Sequence, residues 1–148
     1  MKTLGPVSAA IGSGRVFDYF DELRKIIETA QTDVFFIDPY LEADFVSRYL
    51  PHVKSGVSIR LLTRQKLSTL LPAVAQFAKQ TSAKLEVRSD PSFHDRYLFI
   101  DRNACYQSGA SFKDGGSRSP TTITQITDAF KAVLSTYENL WAAGRIEL

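Results

Sequence analysis

Phe93-His94-Asp95-Arg96-Tyr97-Leu98-Phe99-Ile100-Asp101, followed by Ser108-Gly109-Ala110-Ser111-Phe112-Lys113-Asp114, is the stretch that decides how this chain folds and where its chemistry lies. Leu98-Phe99-Ile100 is continuously apolar, as a strand covered on both faces requires. If residues 96–100 are extended, alternate side chains point to opposite faces, so His94 and Arg96 share one face and converge on one anion. Those two residue types suit a phosphodiester. An imidazole attacks phosphorus or transfers a proton, while a guanidinium neutralises charge and forks onto the non-bridging oxygens. Asp101 arrives where the strand runs out, and Gly109 lets the backbone that follows turn sharply or approach a ligand. Ser108, Ser111 and the backbone amides around them are further candidate donors to phosphate.

Working outward, the rest of the chain alternates between helical and extended patterns. Phe17, Phe20, Leu23, Ile27 and Ala30 recur at helical spacing between Val16 and Gln31, with acids and bases between them. Val34-Phe35-Phe36-Ile37 predicts a buried strand that ends in Asp38-Pro39-Tyr40. A helix over about 42–55, disturbed at Pro51 and stopped at Gly56, leads to a strand over Val57–Thr63. Lys66–Gln80 predicts a third helix with Leu67, Leu70, Leu71, Val74, Phe77 and Ala78 inward and Pro72 as an irregularity. Lys84–Arg88 alternates like a strand. Ala104–Gln107 is expected to pair with the motif strand across the Asp101-Arg102-Asn103 turn. The stripe Phe130, Val133, Leu134, Tyr137, Leu140 and Trp141 predicts a final helix over about Thr127–Ala143, its aromatic residues serving as core. Residues 1–14 read as an irregular lead-in or a strand-like arm, and Ser117–Thr122 as a polar loop. This alternation argues for one α/β layer structure spanning residues 1–148, with no internal repeat.

Composition narrows the function classes. At 148 residues, 44% hydrophobic and 11% aromatic, the chain is one domain's worth and buries a real core. No apolar run approaches the ~20 residues that span a bilayer. With no signal-peptide pattern after Met1, a cytoplasmic location is expected. The single Cys105 makes no intrachain disulfide, and its setting suggests a buried structural thiol. Two histidines and one cysteine are too few for a typical zinc site. The net charge of +2 does not by itself announce a nucleic-acid partner, so the distribution of charge matters more. In open α/β sheets, ligands collect beyond the carboxyl ends of parallel strands, where Asp38, Tyr40, Thr63, Arg64 and Arg88 fall. Arg64, Arg88, Arg96 and Lys113 together would surround His94 with positive charge and suit a phosphate.

The spacing His94-x-Arg96-x4-Asp101-x6-Ser108-Gly109-x-Ser111 resembles the His-x-Lys-x4-Asp signature of the phospholipase D superfamily with its trailing Gly-Ser-x-Asn. The resemblance implies a phospholipase D-like α/β sandwich, with a mixed, parallel-rich sheet flanked by helices. It places His94 at the nucleophile position, Arg96 at the phosphate-binding lysine, Asp101 at the motif aspartate and Ser111 at the asparagine. Two departures are evident, since arginine replaces lysine and serine replaces the amide. Arginine keeps the charge but is bulkier and forked. The family mechanism uses two histidines and neither metal nor organic cofactor, so a chain with one motif implies a homodimer that brings two His94 residues together. Nucleic acid is expected as the phosphodiester substrate ahead of phospholipid. The alternative left open is a non-catalytic module that recognises phosphate on nucleic acid or lipid headgroups, toward which both departures point. A domain drawn from a larger protein is a third reading.

Overall fold

A computed structural model describes residues 8–112 and 120–148. The elements run β1 (Ser8–Ile11), α1 (Val16–Glu28), β2 (Asp33–Ile37), α2 (Ala43–Tyr49), a 3-10 turn (Leu50–His52), β3 (Ser58–Thr63), α3 (Leu67–Thr81), β4 (Leu85–Ser89), β5 (Tyr97–Ile100), β6 (Ala104–Ser108), β7 (Thr121–Ile126), α4 (Phe130–Ala143) and β8 (Arg145–Ile146). The strands form one mixed sheet in the order β1-β7-β6-β5-β2-β3-β4-β8. No described helix is long and apolar enough to cross a membrane.

β2 is central, and all five of its residues are buried. Val34 and Phe36 join a core with Tyr19, Leu23 and Ile27 of α1, Phe45 and Tyr49 of α2, and Leu70 and Val74 of α3. Phe35 and Ile37 face the other way, into a second core with Phe99, Cys105, Tyr137 and Trp141. The expected aromatic stripe of α4 is therefore core. Burial pushes the Cys105 thiol up to about 12, as an inert structural cysteine requires. The inward face of α1 is rotated from the expected one. Tyr19, Leu23, Ile26 and Ile27 are buried, whereas Phe17 is 70% exposed.

The expected α/β sandwich with a mixed sheet is found, but its parallel part is small. Only β2–β3 and β3–β4 are parallel among the seven neighbouring pairs, so the sheet is not parallel-rich. Parallel pairing needs a crossover, and α2 and α3 supply one at each of these two connections. β5 and β6 are joined by a tight turn through Asp101 and Arg102, which have φ of 56° and 54°, and return antiparallel. β1 lies within the expected lead-in and realises its strand alternative. β7 and β8 went unforeseen, and β7 begins inside the stretch expected as a loop.

β3 is tied to α4 through a buried guanidinium. Arg60 donates to Asp33 at 3.1 and 3.3 Å and to Glu138 at 2.7 and 2.8 Å, and lies 4.1 Å from the Phe35 ring centroid. Burial works against its charge, and the two carboxylates outweigh that and hold its pKa above the ordinary value. Arg60→Met is expected to destabilise the fold by about 3–5 kcal/mol in urea unfolding, because Asp33 stays buried without its counter-charge.

Candidate phosphate site

The sheet gathers its loops at one edge. β2 and β3 end there, β5 starts there with Tyr97 opposite Ile37, β6 ends there, and β7 starts there with Ile123 opposite Ser108. His94 and Arg96 precede β5 in irregular backbone rather than lying in the strand. The Arg96 guanidinium meets the backbone carbonyl of His94 rather than its ring.

The imidazole of His94 is exposed, and Arg64, just past β3, sets a guanidinium nitrogen 3.4 Å from its Nδ1. A guanidinium only donates, so in a neutral ring this contact makes Nδ1 the acceptor and leaves the proton on Nε2. Arg64 is held from the other side by the Tyr40 hydroxyl at 3.4 Å, with the ring centroid 5.8 Å from its carbon. Arg96 donates to the His94 carbonyl at 3.3 Å and to the Gly109 carbonyl at 2.8 Å. The Nε atoms of Arg64 and Arg96 are buried with no hydrogen-bond partner among the described residues. Neither guanidinium has a carboxylate partner among the described residues. Asp95, the acid adjoining His94, accepts instead from Tyr137 on α4 at 3.3 Å.

Beneath this pair lies a buried polar layer. The Asp38 carboxylate, at the end of β2, accepts from Tyr40 N at 2.9 Å, Ser111 Oγ at 2.8 Å and Phe112 N at 2.7 Å. Burial raises its pKa above the ordinary aspartate value, opposed by these donors and by the charge of Arg96. Tyr19 of α1 shares a 2.7 Å hydrogen bond with Ser108 Oγ, and that hydroxyl lies 2.6 Å from the Ala110 carbonyl as its donor. Burial raises the Tyr19 hydroxyl far above its usual range, so it stays protonated.

Several expected site residues are placed elsewhere or otherwise employed. Asp101 sits at the far end of β5, where its carboxylate accepts from the amides of Gln31, Thr32 and Asp33 at 2.7–3.0 Å and from the Thr32 hydroxyl at 3.0 Å. It fixes the entry to β2 and is not at the His94 edge. Ser111 spends its hydroxyl on Asp38, so it does not reach outward to a ligand. The Gly109 amide is taken by Thr122 O at 2.9 Å, and its carbonyl orients Arg96. A Cβ at Gly109 would meet Thr121 Oγ1 at 2.7 Å, so close packing against β7 is what demands glycine here. Arg88 turns to α4, donating to Trp141 O at 2.8 Å with its carbon 4.6 Å from the Trp141 ring. Lys113 lies outside the described residues, as does the part of the expected polar loop from Ser117 to Ser119. Tyr19 was not anticipated. Its one sequence signal was a helical spacing to Leu23 and Ile26. Among the described residues no three acids, histidines or cysteines converge as metal ligands would.

This eight-stranded mixed sheet with its flanking helices is a phospholipase D-like fold. It is similar to Nuc from Salmonella typhimurium, a phospholipase D family member, with 16% identity and a TM-score of 0.67 over 95% of this chain and 97% of that one. It is also similar to NucT from Helicobacter pylori, with 11% identity and a TM-score of 0.68 over 95% and 99%. TrmBL2, an archaeal chromatin protein with a novel mode of DNA binding, shares 14% identity at a TM-score of 0.63 and is covered over 53% of its length by 93% of this chain. At such identities the likeness is one of fold. No family model and no curated protein matches the sequence.

The four donors to Asp101 hold its carboxyl below the ordinary value of 3.8 against the opposing effect of burial. A depressed folded pKa gives stability that is present above that value and is lost as pH falls through the folded one. Asp101→Asn is therefore expected to cost about 1 kcal/mol at pH ~7, screening included, with the difference closing in acid. Urea unfolding across that pH range measures it.

Proposed function

We propose that this chain is a metal-independent phosphodiesterase acting on nucleic acid through His94, assembled as a homodimer. The observation that carries the reading is an exposed imidazole met by the Arg64 guanidinium, with the Arg96 guanidinium on the carbonyl of the same residue, neither arginine having a carboxylate partner among the described residues. A phosphodiester placed there takes forked hydrogen bonds from the guanidinium groups and brings phosphorus to the ring. The DNA named for tyrosyl-DNA phosphodiesterase from yeast and for TrmBL2, which share the fold, supports nucleic acid ahead of lipid. The yeast enzyme is covered over 37% of its length at a TM-score of 0.59.

In this mechanism Arg64 slides from His94 Nδ1 onto the phosphate, and the proton moves to Nδ1. The Nε2 lone pair of His94 attacks phosphorus, and the P–O bond to the leaving oxygen breaks. The second subunit's imidazole, acting in its protonated form as general acid, gives its proton to that oxygen. Water then attacks the phosphohistidine, losing its proton to the same imidazole, and His94 is released. The guanidinium groups stabilise the extra charge of the pentavalent transition state.

A second reading rests on the Arg64 contact itself. With Nδ1 accepting, Nε2–H is a donor and not a nucleophile, which suits a module that only grips phosphate. Hydrolysis of bis-p-nitrophenyl phosphate and of single- and double-stranded DNA and RNA in EDTA separates the two. The enzyme reading expects turnover that falls at least ~100-fold in His94→Ala with the fold intact, and survives in Arg96→Lys. Wild-type protein that hydrolyses none of these, yet binds polyanions in a manner Arg96→Ala impairs, is a binding module. Light scattering tests the assembly, since a monomer with measurable turnover contradicts the dimer.

A further inference from the structure

Arg64 meets its two partners with two different nitrogens. One terminal nitrogen lies 3.4 Å from His94 Nδ1, and the other donates to the Tyr40 hydroxyl at 3.4 Å. The guanidinium carbon is also 5.8 Å from the Tyr40 ring centroid, within reach of its π-face. Among the described residues the side chain has no further partner, since its Nε is unpartnered and no carboxylate approaches it. The backbones are clasped as well. Arg64 N and Gln65 N both donate to Pro39 O, at 3.3 and 2.8 Å, and Tyr40 N donates to the buried Asp38 carboxylate at 2.9 Å. Tyr40 and Arg64 therefore stand on two loops fixed to each other.

We propose that Tyr40 is a positioning residue that acts on His94 through Arg64. Its hydroxyl keeps one guanidinium nitrogen in place while the other rests on His94 Nδ1 or turns to an incoming anion. In the free protein a donor at Nδ1 favours the neutral ring with its proton on Nε2, beyond the lean that an unconstrained imidazole already has that way. Tyr40 thereby sets how firmly the ring is held in its donor form before an anion draws Arg64 off. The inference deepens the reading of the His94 edge, but it concerns the protein without substrate, so a failure of hydrolysis leaves it standing.

Ring-nitrogen NMR of the whole chain carrying 15N-labelled histidine, at about pH 9 where an imidazole is neutral, tests it, because protonated and bare ring nitrogens resonate far apart. His94 should be almost wholly Nε2–H in wild type. Arg64→Ala should return its tautomer ratio to that of a histidine in a short peptide. Tyr40→Phe removes one oxygen from a half-buried ring and should lower the ratio about threefold, as the loss of one hydrogen bond implies. Made on top of Arg64→Ala, Tyr40→Phe should change nothing further, which separates an effect through Arg64 from a merely structural one. Circular dichroism is the control for folding. A wild-type ring with the ratio of the peptide or with its proton on Nδ1, a ratio unchanged in Tyr40→Phe, or an equal effect of Tyr40→Phe with Arg64 removed would overturn the proposal.

Discussion

The Asp38 carboxylate is the constraint on which the site depends. It closes β2, and by accepting from Tyr40 N on one oxygen and from Ser111 Oγ and Phe112 N on the other it ties the loop after β2 to the corner after β6. That corner contains Gly109, whose carbonyl holds Arg96, and the loop after β2 contains Tyr40, whose hydroxyl holds Arg64. One buried acid thus fixes the supports of both guanidinium groups. A buried acid with a raised pKa adds a cost. The folded state holds its proton more tightly than the unfolded chain, so its contribution to stability is fullest below the ordinary 3.8 and declines as pH rises through the folded value.

The electrostatics of the edge follow from which carboxylates are kept away. Asp95 is drawn to α4 by Tyr137, Asp101 is at the far end of its strand, and Asp38 is sealed beneath the surface. Arg60, by contrast, is neutralised by Asp33 and Glu138 and serves the core. Two arginines left without counter-charge among the described residues, each with a buried unpartnered Nε, suit an incoming anion. The same arrangement sets the positive guanidinium of Arg64 against Nδ1 of His94. Chemistry at that ring therefore depends on an anion drawing Arg64 away.

Much of this was legible in the sequence because it was written in periodicity. The apolar runs at Val34–Ile37 and Leu98–Ile100 and the helical stripe from Phe130 to Trp141 each met the element they imply. Thr121–Ile126 was missed because threonines beside Pro120 look like a loop, although the inward alternation of Thr121 and Ile123 is a strand signal. The rotation of α1 was missed because Phe17 outranks Tyr19 in hydrophobicity, and only the partner Ser108, 89 residues away, makes the tyrosine the better core residue. At the site, the structure brings Arg64 to the His94 ring and Arg96 to the His94 carbonyl. Spacing did not show that Asp101 binds the start of β2, that Ser111 binds Asp38 or that Arg88 turns to α4, since a motif fixes the order of side chains along the chain but not which face or end of the sheet each one serves. The raised or lowered pKa of an aspartate likewise depends on partners that only the fold supplies.

The two histidines of the chain make a direct measurement possible. In a titration of protein carrying 15N-labelled histidine with a dithymidine phosphodiester, the ring nitrogens of His94 should shift saturably while those of His52 stay fixed, and Arg96→Ala should abolish the shift. If His94 remains unmoved at saturating phosphodiester, or moves equally in wild type and Arg96→Ala, the edge formed by His94, Arg64 and Arg96 is not a phosphate site.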